Sequence, residues 1–192
     1  MKHSHRVAAA ALLCGLSAAA SAHPGHGAPI DLLAGLAHPF GADHLLAALA
    51  VGVWASAALP AGRRLAGPLV FLLALLGGAL AGMSMPSTPL LETGVAASVA
   101  VLGAMLLAPR ALPRPMALVM IAGAALLHGA GHGSAWTAGS FAGYAAGFMA
   151  TTALLHLAGL AAGGSLLKAQ RWLWHATAAA CTLSGVWMLA TL

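Results

Sequence analysis

Charge is the first thing this sequence lacks. Only 6% of its 192 residues are Asp, Glu, Lys or Arg, where a soluble domain carries roughly a quarter. Three acids and eight Lys/Arg cannot clothe a water-facing surface, which argues against a soluble enzyme. Thiols are equally scarce. Cys14 and Cys181 each stand alone in an apolar run, so no paired thiol offers a soft Cu⁺ site. No G-x-x-x-x-G-K-[ST] loop occurs, so this chain is not expected to hydrolyse ATP. The computed isoelectric point of about 10.3 does not signal nucleic acid. Lys2, Arg6, Arg63, Arg64, Arg110, Arg114, Lys168 and Arg171 fall in pairs between apolar blocks, not along a stripe that tracks phosphates.

What is present is hydrocarbon. The chain is 61% hydrophobic with a mean hydropathy of +0.93. Its apolar residues fall in blocks of about 20, enough to cross a hydrocarbon core of roughly 30 Å. The expected fold is all-α: a polytopic membrane bundle of six transmembrane helices after a cleaved signal peptide. Lys2 and Arg6 form a positive n-region, Val7 to Leu16 an apolar h-region, and Ala20-Ser21-Ala22 an A-x-A cleavage site. The reading is a signal peptide over 1–22 and a single domain over 23–192. An uncleaved anchor is the alternative, against which stand the shortness of the apolar run and the small residues at its end.

The six spans are read as 41–59, 65–85, 93–109, 115–133, 137–163 and 171–191. Pro60, Pro86, Pro89, Pro109, Pro113 and Pro115 lie at or near their boundaries, where proline does least harm. Arg63 and Arg64 follow the first span, Arg110 and Arg114 the third, and Lys168 and Arg171 the fifth; the other two connections hold no Lys or Arg. The positive-inside rule makes the basic connections cytoplasmic and both termini external. A cleaved signal followed by an even number of spans requires the same topology. Gly139, Gly143 and Gly147 in the fifth span, with Gly77, Gly78 and Gly82 in the second, suggest close helix packing, within one bundle or between copies in a homo-oligomer.

Ionisable residues in such a chain are costly, roughly 2.5–3.5 kcal/mol for Asp at a span centre, and so are candidates for function. His38, Asp43 and His44 lie where the chain enters the first span from outside, Glu92 in the outer connection before the third, and His128 and His132 near the outer end of the fourth. On this topology all six share one leaflet. Imidazole and carboxylate donors suit Ni²⁺, Co²⁺, Zn²⁺ or Cu²⁺. His128 and His132 are four apart, on one helix face and about 6 Å apart at Cβ, so two imidazoles can grip one ion. Asp43 is either a ligand or an orienting partner of a ligating histidine. Glu92 either recruits a cation at the mouth or caps the third helix. His23 and His26 open the mature chain and form a candidate accessory metal site with the terminal amine; the alternative is a polar tail. His156 and His175 lie toward the cytoplasmic side, where packing or interface placement is favoured over an exit route.

The run from Gly35 through His38-Pro39-Phe40-Gly41-Ala42-Asp43-His44 to Ala55, and the later Leu127-His128-Gly129-Ala130-Gly131-His132-Gly133, resemble the HupE/UreJ family of bacterial inner-membrane proteins. The resemblance covers essentially the whole mature chain and implies a secondary permease for Ni²⁺, sometimes Co²⁺, serving hydrogenase or urease maturation. It maps His38, Asp43, His44, Glu92 and His132 onto the family pattern, with Phe71 matched to an aromatic position. Two departures stand out. The family's first motif usually has one more residue between Pro and Asp, and a Glu commonly stands where this chain has Ala135.

Three functions fit a membrane chain with these residues to different degrees. In the first, a divalent metal ion is captured at the outer layer and released inward, with no cofactor permanently bound; the lipid bilayer and metalloenzyme maturation proteins are the other expected partners, and nucleic acid is not. The second is a non-transporting metal sensor or accessory protein, against which stand its short cytoplasmic connections. The third, an intramembrane metalloenzyme, lacks the Glu of H-E-x-x-H, because Gly129-Ala130-Gly131 fills the gap. The permease is the preferred reading.

Overall fold

A computed structural model describes residues 31–136 and 139–192; the signal peptide, His23 and His26 lie outside these. Among the described residues the fold is helical. Asp31 starts it, its carboxylate accepting from the amides of Leu33 and Ala34 and so capping α1, Leu32–Ala37. A 3₁₀ turn, His38–Phe40, then leads through Gly41 into α2, Ala42–Ala58, and the two segments meet at 72°. The sequence pattern marks this stretch only as the entry into the first span; the capped helix and its sharp bend come from the structure.

Five long helices follow: α3 Ala66–Gly82, α4 Pro89–Leu107, α5 Arg114–Ala135, α6 Phe141–Leu166 and α7 Arg171–Ala190. Of these, α3 to α6 are long and apolar enough to cross a membrane, and the bent pair α1–α2 makes a fifth candidate. Helix α7 is long enough, but its Trp, His and Thr residues leave it less apolar. Leu73, Val119, Leu154 and Leu183 are exposed in mid-helix, so much of the outer surface is itself apolar, as a lipid-facing belt requires.

Glycine decides which helices pair. A Cβ on Gly129 or Gly133 would overlap the carbonyl of Leu75 or Ala79, and one on Gly78 or Gly82 that of Leu126 or Ala130. These contacts advance together along both chains, so α3 and α5 pack in parallel, backbone against backbone. Gly52, Gly159 and Gly163 do the same for α2 and α6, whereas Gly103 and Gly185 join α4 to α7 in antiparallel fashion. Gly147 packs against Leu32 and Leu36 of α1; Gly77 faces open space. Gly139 lies ahead of α6 with φ of 100°, a conformation glycine adopts without strain. Trp54 and Trp174 fasten the end bearing the basic connections, donating to the carbonyls of Pro109 at 3.1 Å and Leu106 at 2.7 Å.

Candidate metal centre

The opposite end of the bundle gathers imidazoles. His44 sits in the first turn of α2, while His128 and His132 occupy the last two turns of α5. His44 Nδ1 lies 3.2 Å from His128 Nδ1 and 3.3 Å from His132 Nε2, which is also 3.3 Å from His44 Nε2. Two nitrogens bound to one ion at about 2.0–2.1 Å stand about 2.9–3.4 Å apart at octahedral or tetrahedral angles. His44 therefore stands at the spacing of co-ligands from each of the other two imidazoles.

The surrounding donors extend this set. His38 crosses His132 edge-on with ring centroids 4.3 Å apart, and His38, His44 and His132 each offer a nitrogen within 4.8 Å of the others. Asp43, His44 and His128 form a second such group, so His44 belongs to both. His44 and His128 are buried at 1% exposure each, whereas His38, Asp43 and His132 are partly exposed. The cluster thus runs from a wetter rim to a dry interior.

Hydrogen bonds select the ring nitrogen that faces inward. Ser98 Oγ lies 2.7 Å from the carbonyl of Val95 and 2.9 Å from His128 Nε2. The carbonyl can only accept, so the single hydroxyl proton goes to it and Ser98 Oγ accepts from His128 Nε2–H. That tautomer leaves a lone pair on Nδ1, the atom facing His44. On His132, the Tyr144 hydroxyl approaches Nδ1 at 3.4 Å, and Nε2 faces the cluster. Partners of this kind orient imidazole ligands in metal proteins.

Ser98 and Tyr144 were missed from sequence. A serine in an apolar helix ordinarily bonds a carbonyl of its own turn, and Ser98 does that too, so its second role gave no signal. Tyr144 is the chain's single tyrosine, and that rarity near the outer end of a span was a usable clue.

The remaining candidates stand apart. Glu92 is exposed in the first turn of α4, outside both donor groups. Thr88, not Glu92, caps that helix, accepting from the amide of Leu91, while Glu92 complements the positive helix end. Packing of Gly94 on Leu127 and of Gly131 near Val95 puts Glu92 at the same end of the bundle as His132. Ala135 is exposed at the last residue of α5. Phe71 is fully buried, its ring 6.3 Å from that of His128 and 4.9 Å from that of His156. His156 is buried and donates from Nδ1 to the carbonyl of Ala48 at 2.8 Å; His175 is exposed on α7.

The sequence model of the HupE / UreJ protein family matches residues 11–188. Protein HupE of Rhizobium leguminosarum bv. viciae is 39% identical over 162 residues, which cover 83% of each chain. No solved structure matches the chain. With the family model spanning nearly all of the sequence, this chain belongs to the HupE/UreJ family.

Proposed function

We propose that this chain is a secondary permease that imports Ni²⁺, or Co²⁺, across the bacterial inner membrane for hydrogenase or urease maturation. The observation that carries this reading is the approach of His128 Nδ1 and His132 Nε2 to within 3.2–3.3 Å of the His44 ring nitrogens within an apolar helical bundle. In this reading α2 to α7 all cross the bilayer, with Arg63, Arg64, Arg110, Arg114, Lys168 and Arg171 on the cytoplasmic side. The parallel pairing of α2 with α6 and α3 with α5, and the antiparallel pairing of α4 with α7, fit such an alternating chain. Both mature termini then lie in the periplasm, and the imidazole cluster faces it.

The partly exposed His38, Asp43 and His132 receive the hydrated cation. Asp43 supplies the negative charge that offsets dehydration, and His44 and His128 replace lost waters with nitrogen lone pairs. These donors suit a borderline cation. A carrier also needs ligands that release, which an open set of His and Asp provides better than a closed four-ligand cage. Glu92, exposed at the same end, adds negative potential at the mouth. The membrane potential or a proton gradient drives the ion inward.

The test is ⁶³Ni²⁺ uptake into nickel-transport-deficient cells expressing the chain, beside His44→Ala and His132→Ala at matched membrane levels. Uptake by the parent and its loss in both variants is the expected result. No uptake of Ni²⁺ or Co²⁺ by well-inserted parent protein would refute the permease and favour a non-transporting accessory role.

A further inference from the structure

The histidine cluster does not account for the polar residues one layer deeper. Phe148, Thr152 and His156 recur every fourth residue on α6, inward of Tyr144, and so lie on one helix face. Thr152 and His156 are both fully buried. Among the described residues, Thr152 Oγ1 and His156 Nε2 are buried side-chain atoms with no hydrogen-bond partner, two such atoms one turn apart.

The tautomer of His156 follows from its one bond. Its Nδ1 lies 2.8 Å from the carbonyl of Ala48, which can only accept, so Nδ1 carries the proton and Nε2 a lone pair. Buried polar groups are normally satisfied; an oriented imidazole with a free lone pair, one helical turn from an unpartnered hydroxyl on the same face, offers a cation two donors. Phe71 neighbours both levels, its ring 4.9 Å from His156 and 6.3 Å from His128.

We propose that His156 Nε2 and Thr152 Oγ1 form a second, inner station for a borderline divalent cation, with the ring of Phe71 neighbouring both it and the outer histidine cluster. The station extends the permease reading: an ion leaving His128 passes Phe71 and is taken up by His156. Two protein donors hold an ion weakly, as a relay point on a conduction path requires.

Asparagine at position 156 tests the site, because its amide nitrogen replaces Nδ1 on Ala48 while the Nε2 lone pair disappears. The full chain in nanodiscs is titrated with Ni²⁺ by equilibrium dialysis, as parent, His156→Asn and Thr152→Val, and each is also assayed for ⁶³Ni²⁺ uptake. His156→Asn is expected to bind one equivalent fewer and to take up Ni²⁺ roughly tenfold more slowly or worse, while Thr152→Val weakens that same equivalent. An unchanged number of equivalents in His156→Asn overturns the station whatever happens to uptake. Loss of the equivalent from a parent that does not transport leaves the station standing and removes the permease. Should His156→Asn fail to fold, unaltered affinity in Thr152→Val overturns the proposal.

Discussion

Removing the Ser98 hydroxyl should damage metal binding without touching a ligand. In Ser98→Ala, His128 Nε2–H loses its acceptor inside a dry site, since Ser98 is 6% and His128 1% exposed. The imidazole can then shift its proton to Nδ1 and donate to His44 Nδ1, 3.2 Å away, which converts the inward ligand atom into a donor. Loss of an orienting partner typically costs about 10–100-fold in metal affinity, equivalent to about 1.4–2.7 kcal/mol. The assay is Ni²⁺ titration of the detergent-solubilised chain by calorimetry. Ser134→Ala serves as control, because Ser134 bonds the carbonyl of Gly131 and has no histidine partner. Ser98→Thr, which keeps the hydroxyl, should recover most of the affinity. A Ser98→Ala protein that binds Ni²⁺ as tightly as the parent would refute the tautomer assignment for His128.

Proton competition gives a second prediction. Imidazole ligates only when neutral, so protons compete with Ni²⁺ for the ring nitrogens, and Ni²⁺ affinity should fall once the pH is low enough to protonate the ligating histidines. The fall should exceed about tenfold per pH unit at the acid end, because several histidines must each lose a proton, and His44→Ala should flatten that slope. An affinity that by equilibrium dialysis never falls, down to the pH at which the fold is lost, would exclude imidazole ligation. Packing gives a third. Gly129→Ala drives a methyl into the Leu75 carbonyl and should cost about 1–3 kcal/mol. Gly77→Ala meets open space and should stay within about 0.5 kcal/mol of the parent. Both are read from thermal loss of helical circular dichroism in detergent.

Much of the helix placement was legible because apolar block length alone determines it. The expected 41–59 and 171–191 lie within a residue of Ala42–Ala58 and Arg171–Ala190. The apolar pattern places the fifth span from 137 with Gly139 inside it, whereas Gly139, with its positive φ, precedes α6 at Phe141. Spacing along one helix also sets His128 and His132 on one face whatever the bundle arrangement, while among the described residues the donor groups hold them apart, His132 with His38 and His128 with Asp43. Register between helices was not legible. Whether Gly77 or Gly78 meets α5 depends on rotation about the helix axis, and residues one apart point in directions about 100° different. The same blindness hid Ser98, whose meeting with His128 requires α4 and α5 to be placed in space. Helix α1 has a sequence signal of its own, Asp31 ahead of Leu32-Leu33 as an N-cap, but six residues are too few for a periodic pattern to confirm it.

The glycine seams have a mechanical consequence. Where backbone lies on backbone, no layer of flexible side chains is left between two helices to absorb a displacement, so α3 with α5 and α2 with α6 each behave as a solid plank. The planks touch one another far more sparingly than their members do, and the imidazole cluster is divided between them. His44, Tyr144, Phe148 and His156 belong to one plank, and Phe71, His128 and His132 to the other. Loosening the cluster therefore does not call for bending any helix. It calls for one plank to rock against its neighbour, a motion that parts His44 from His128 and shifts Phe71 relative to His156 in a single stroke.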